Sequence, residues 1–326
     1  MARPEVEWIG GAIHLADSVL WFDSPRRRAL SFVSHAHGDH IARHERVIAT
    51  DATAQLMAER LGGLDQVLTV PYDQPFDVGP LRLTLFPAGH ILGSAQLLVV
   101  RAGRRIAYTG DLCLSPGLTA EPASVVPCDV LVIEATFGHP RFRFPPRTAA
   151  LEQVEGFVRD CLARDESPIL LAYALGKSQE VIRHLGEQGL TLRADDRICD
   201  ISRIYERAGC PMPPVTRFRG DLGPGEVLIL PPHRARTPSV RRLPRRRSAV
   251  LTGWAVDEST RYRFHADAAI PLSDHADFDQ LLRYVEESGA REIYTVHGYC
   301  EPLARELCRR GIRARPLDAG RQLELF

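Results

Sequence analysis

Ser34-His35-Ala36-His37-Gly38-Asp39-His40 follows directly on the apolar run Leu30-Ser31-Phe32-Val33, and that placement decides the fold. Imidazole nitrogens and carboxylate oxygens are the ligands that Zn²⁺ and similar borderline ions take, and a strand end holds them at fixed spacing while leaving positions open for water. The stretch therefore reads as one half of a two-metal site. Burying three imidazoles and a carboxylate this close together without a cation would leave polar groups unpaired at high cost.

Further candidate ligands stand in loops that also follow strand-like runs. Pro87-Ala88-Gly89-His90 succeeds Leu81-Arg82-Leu83-Thr84-Leu85-Phe86, and Thr109-Gly110-Asp111 succeeds Arg105-Ile106-Ala107-Tyr108. His297-Gly298 comes after Glu292-Ile293-Tyr294-Thr295-Val296, while Ser273-Asp274-His275 precedes a helical pattern. A histidine after a strand is often only a satisfied polar group. Here the order of the segments along the chain carries the weight.

That succession resembles the metallo-β-lactamase superfamily, whose signature is His-x-His-x-Asp-His followed by single His, Asp and His ligands. Val132-Ile133-Glu134-Ala135-Thr136-Phe137 and Ser273-Asp274-His275-Ala276-Asp277 resemble the additional acidic and histidine motifs of its β-CASP nucleases. Within that group the chain is most similar to the bacterial ligase-associated DNA exonucleases, relatives of the Artemis and Apollo repair nucleases. One departure stands out: that branch usually lacks a histidine at the last motif, and His297 matches the RNA-processing branch instead. DNA and RNA both stay open as substrates, with DNA favoured.

The resemblance implies an α/β fold, a metallo-β-lactamase αββα sandwich with an inserted β-CASP cap of small parallel sheet and helices. It also implies a partition of ligands. His35, His37 and His90 would hold one divalent ion, Asp39, His40 and His297 the other, and Asp111 would bridge. Zn²⁺ is the expected ion, with Mn²⁺ as the alternative. Two cations about 3.5–4 Å apart activate water and grip a phosphodiester oxygen, so no side-chain nucleophile is needed. Asp39 and Asp111 thereby enter the catalytic set. His275 lies outside both ligand sets and is the candidate general acid, with Glu134 as the carboxylate that holds its ring.

Composition agrees with a globular enzyme and excludes little. The 326 residues balance 41 basic against 41 acidic side chains, so a nucleic-acid footprint must be a local patch. No stretch reaches membrane-spanning length and the first residues have no apolar secretory core, which points to the cytoplasm. Seven scattered cysteines without a Cys-x-x-Cys pair read as reduced thiols, Cys113 among them. A small-molecule hydrolase of the same superfamily would have little use for a large cap with a basic loop.

Organisation along the chain reads as residues 1–145 and 248–326 forming the catalytic domain, with residues 146–247 as the cap. A helix over 51–61 has Asp51 as candidate N-cap and Gly62 as its stop, and 97–101 with 105–109 form a hairpin around Ala102-Gly103-Arg104. The cap alternates helix 148–164, strand 168–173, helix 177–188, strand 190–193, helix 196–208 and strand 227–230, the signature of a parallel sheet. Lys177, the single lysine, and Ser178 open a glycine-led helix whose free N–H groups suit a phosphate. An irregular proline-punctuated loop then ends in Arg245-Arg246-Arg247, a second candidate phosphate contact.

The last residues, Gln322-Leu323-Glu324-Leu325-Phe326, resemble the peptide by which bacterial repair proteins dock on the sliding clamp. Gln322, Leu323, Leu325 and Phe326 would make that contact, alongside DNA ligase and helicase as repair partners; a final strand packed on the catalytic domain is the alternative. Deleting residues 322–326 is expected to abolish clamp binding and spare cleavage of short oligonucleotides. A full-length protein indifferent to the clamp, or a truncation that unfolds, marks the tail as structural.

Overall fold

The strand Val130–Ala135 is buried on both faces, and that single fact organises the catalytic part of the molecule. Val130 and Val132 point into a core shared with Phe22, Phe32, Leu83, Leu97, Val99 and Tyr108. Leu131 and Ile133 face a second core with Phe278, Leu281, Val285, Leu303 and Leu307. A strand covered twice reads as a nearly continuous apolar run, interrupted here by the buried Glu134.

In the computed structural model residues 5–317 are described, so Gln322, Leu323, Leu325 and Phe326 lie outside the described residues. One compact unit comprises the chain up to Pro116, Ala120–Phe142 and the chain from His275 onward. It holds a six-stranded and a seven-stranded sheet. Their inner faces supply the first core, and the helices Phe278–Ser288 and Cys300–Arg309 cover the outer face of the second sheet. The arrangement is a metallo-β-lactamase fold with an inserted unit.

Local chemistry places the turns. Between Ala95–Arg101 and Arg104–Tyr108 the register pairs Arg101 with Arg104, leaving a two-residue loop at Ala102 and Gly103 with φ of 49° and 78°. Positive φ at both positions is the hairpin geometry that matches strand twist. The helix Asp51–Leu61 ends at Gly62 in the left-handed region, but its N-cap is Thr50 and not Asp51. Thr50 Oγ1 accepts from Thr53 N at 3.2 Å while donating to Gly93 O at 2.6 Å, so one hydroxyl both caps the helix and ties it to the loop of His90.

The second unit, Gly117–Thr119 with Arg143–Asp274, is built on an all-parallel six-stranded sheet. Leu170, Val227, Ile229, Ala249 and Leu251 pack under the helices Arg147–Ala163, Lys177–Glu187 and Asp196–Arg207. Ile169, Leu171, Leu228, Leu230 and Val250 pack with Val240 and Leu243 on the other face. The sequence places the end of the insertion at 247, yet Arg246–Leu251 pairs with Ser167–Leu171 inside this sheet, and Ala268–Ile270 extends it. Its arginine-rich start disguises the first strand and the second is three residues long, so neither gives a clear pattern. The basic segment before it is also less irregular than its prolines suggest, since Pro238–Arg241 forms a helical turn with proline at its start.

Thr50→Ala should destabilise the protein by about 1–2 kcal/mol, whereas Asp51→Ala should cost less than about 0.5 kcal/mol. Urea unfolding of the two variants checks this. Equal losses, or the larger loss at Asp51, would contradict the assigned cap.

Candidate metal centre

Strand ends bring the ligand residues together. Leu30–Phe32 runs parallel to Arg46–Ala49, and Ser34 O, just beyond it, accepts from Ala95 N at 2.8 Å. That bond joins the His35 loop to the second sheet. The Asp111 loop approaches just as closely, because a Cβ on Gly110, at φ 55°, would stand 2.5 Å from the Ser34 side chain. Gly89 plays the same part for His90, where a Cβ would meet Cys113 O at 2.1 Å. No other residue fits either position.

Asp111 Oδ2 is the focus. It lies 3.4 Å from His40 Nε2, 3.5 Å from His35 Nε2, 3.8 Å from His90 Nε2 and 3.9 Å from His275 Nδ1. His37 Nδ1 is 3.0 Å from both His35 Nε2 and His90 Nε2. Nitrogens each about 2.0–2.1 Å from one zinc ion stand roughly 3.3 Å apart in tetrahedral geometry, so this cage has the size of a cation site. Burial alone would raise the Asp111 carboxyl, but His40, His275 and His35 hold it well below the usual carboxylate range. Burial likewise opposes charge on His40, yet Asp111 and Asp23 outweigh it and hold that imidazole well above its ordinary value. His35 is pushed the other way by burial and by the neighbouring His40.

His297, at the end of Glu292–Gly298, has φ 60° and a ring centroid 5.3 Å from that of His40. Its Nε2 is buried without a hydrogen-bond partner. Burial, then His40, lowers its pKa and favours the neutral imidazole that metal ligation requires. A buried nitrogen that hydrogen-bonds nothing fits a metal ligand better than a packing residue. Asp39 differs, with a side chain 65% exposed and Oδ2 3.5 Å from His40 Nε2.

Asp23 is the functional residue the sequence does not disclose. Its carboxylate accepts from Ser34 N at 2.7 Å, Ser34 Oγ at 2.5 Å, Tyr108 Oη at 2.7 Å and His40 Nδ1 at 2.9 Å. Fixing Nδ1 of His40 as the donor leaves Nε2 to face Asp111. Asp23 ends the run Leu20–Phe22 at φ 43°, so in sequence it reads as a turn residue before Ser24-Pro25. Its place at a strand end, like that of Asp111, is the signal available.

His275 Nδ1 stands 3.1 and 3.2 Å from the two oxygens of Glu134, which is fully buried and also accepts from Leu112 N at 2.6 Å. Ala276 N donates to Leu112 O at 2.6 Å, so the same loop that carries Asp111 anchors both sides of this pair. Asp277 caps the following helix through Gln280 N.

Of the phosphate contacts expected in the inserted unit, Lys177, Ser178 and Arg247 are committed to internal partners, while Arg245 and Arg246 are exposed. Lys177 is buried and its Nζ pairs with Asp274 Oδ2 at 3.0 Å, while Arg147 lies 3.6 Å from Asp274 and holds Glu180 through Nε and Nη2. Ser178 is fully buried and donates to Tyr173 O at 2.7 Å. Arg247 pairs with Asp160 at 2.8 Å, and Arg246 donates to Arg241 O at 2.5 Å. Arg246 begins its strand opposite Ser167 with Arg245 just before it, at the end of the strands away from Lys177, with a strand of five residues, roughly 16 Å, between.

Residues 22–165 match the Beta-lactamase superfamily domain. The chain is 38% identical over 307 residues to a probable DNA ligase of Opitutus terrae, covering 94% of this chain and 30% of that protein. It is 26% identical over 305 residues to the endoribonuclease YSH1 of Eremothecium gossypii, covering 74% of this chain and 39% of that one. The chain thus spans well under half the length of these relatives. A crystal structure of a protein of unknown function from Enterococcus faecalis V583 shares the fold, with a TM-score of 0.60 at 14% identity over 88% of this chain and 78% of that one.

Replacing Asp23 by alanine strips His40 Nδ1 of its acceptor and should weaken metal affinity about 10–100-fold. Competition against a chelating dye measures it. Wild-type affinity would show that His40 is held by other means.

Proposed function

Because the chain carries a domain of the metallo-β-lactamase superfamily, we propose that it is a metal-dependent phosphodiester hydrolase acting on DNA strand ends. The supporting observation is the placement of His275: a ring braced by a buried carboxylate, 3.9 Å from the Asp111 oxygen on which the histidine cage converges. A proton donor beside a cation cage is what cleavage of a phosphodiester requires.

His35, His37 and His90 would hold one ion, Asp39, His40 and His297 a second, with Asp111 between them. Divalent ions held there, Zn²⁺ or Mn²⁺, would lower the pKa of bound water to about 7 and neutralise phosphate charge. Asp23 and Ser34 fix the orientation of His40 and its loop. Glu134 accepts from Nδ1 of His275, which orients the ring and stabilises its charged form. The proton that leaves with the 3′-oxygen is then the one on Nε2.

A relative named as a DNA ligase that aligns with nearly all of this chain favours DNA, since strand ends must be trimmed before they are joined. Ligase, helicase and clamp are the partners such work implies. RNA is the second reading, favoured by His297 at the last ligand position and by relatives named as endoribonucleases.

Matched DNA and RNA strands, bearing 5′-phosphate or 5′-hydroxyl, separate the two. The protein loaded with Zn²⁺ or Mn²⁺ should cleave DNA, and Asp111→Ala should abolish turnover. His275→Ala should lower kcat by about a hundredfold with metal content unchanged. Inertness toward both strands would refute the nuclease, and loss of metal from the His275 variant would make that residue a ligand.

A further inference from the structure

With Lys177 and Arg247 committed to internal carboxylates, the substrate's backbone charge needs another cation. Arg141, in the loop after Val130–Ala135, is exposed and held in place by aromatic rings. Its guanidinium carbon sits 4.6 Å from the centre of the Phe142 ring and 5.2 Å from that of Tyr299, and it donates to the Tyr299 hydroxyl. Among the described residues no carboxylate pairs with it. An arginine stacked on rings has lost much of its conformational freedom before any ligand arrives, and its fork of donors matches a phosphate.

Those rings lead back to the metal centre. Tyr299 is two residues beyond His297, and its N–H donates to Ala135 O at 2.6 Å. Gly138 lets the loop close on it, since a Cβ there would stand 2.9 Å from Tyr299 O. Phe142 is buried, 5.0 Å from Phe137, whose ring is 5.9 Å from that of His275. Arg141 is therefore linked to His275 through two rings, Phe142 and Phe137, and to the strand of His297 through Tyr299.

We propose that Arg141, braced by Phe142 and Tyr299, is a phosphate-binding residue that takes a backbone phosphate of the substrate strand other than the scissile one. The assignment rests on the nucleic-acid reading above. It differs from a catalytic role: the contact is with a phosphate that does not react, so it strengthens binding of the strand without altering the chemical step.

The test is the salt dependence of KM with a single-stranded DNA oligonucleotide, or the matched RNA where the wild type cleaves only RNA. Arg141→Met, which keeps an apolar stem over the rings, should raise KM about fivefold or more, change kcat by less than about twofold, and flatten the slope of log KM against log salt by about 0.7. Arg141→Lys keeps the charge and should keep most of the slope. Wild-type KM and slope in the methionine variant would overturn the proposal. So would a fall in kcat accompanied by metal loss, which would make Arg141 a brace for His297. A wild-type protein that cleaves no strand fails the nuclease reading instead, so the two failures are distinct.

Discussion

One carboxylate oxygen facing four imidazoles is the constraint on which the catalytic unit depends. Asp111 Oδ2 can occupy that point only because Gly110 and Gly89 let two loops approach closer than any side chain would allow. The loops in turn start where parallel or antiparallel strands stop, which is why the ligands sit at strand ends and not within strands. Such a concentration of polar groups away from water is tolerable only if each has a partner, and His297 Nε2, buried with none, is where the protein alone leaves the accounting open.

The supporting residues connect this centre to the core. Tyr108 packs its ring against Phe22 and Phe32 between the two sheets, while its hydroxyl donates to Asp23, which orients His40. A hydrophobic contact thus sets the position of a polar one. Burial raises the Tyr108 hydroxyl well above its ordinary pKa, with Asp23 adding to the effect, so it stays a donor at any physiological pH. Glu134 serves the other side of the centre in the same way, from the doubly covered strand Val130–Ala135.

In the inserted unit the same logic removes candidates. Lys177 and Arg147 face Asp274 and Glu180 in the interior, two cations against two anions. Breaking such a set by removing one partner leaves an uncompensated buried charge. A charge used in this way is not available to a ligand.

Much of the candidate metal centre was legible because the groups it gathers are local in sequence: His35, His37 and His40 share one loop, and His90 and Asp111 each follow an apolar run that announces a strand. The sheets, the hairpin at Ala102-Gly103 and most helices of the inserted unit were legible for the same reason, since periodicity and turn chemistry act over a few residues. Asp23 was not, because its role exists only once strand pairing brings Ser34, His40 and Tyr108 around it. Nor could sequence tell that Lys177 meets a carboxylate 97 positions away, or that Arg246–Leu251 belongs to the inserted sheet. Residue type and local spacing determined which groups can bind metal; whether a charge is spent on a neighbour or left for a ligand was decided by the tertiary structure, because pairing depends on distances that only the order of strands in a sheet sets.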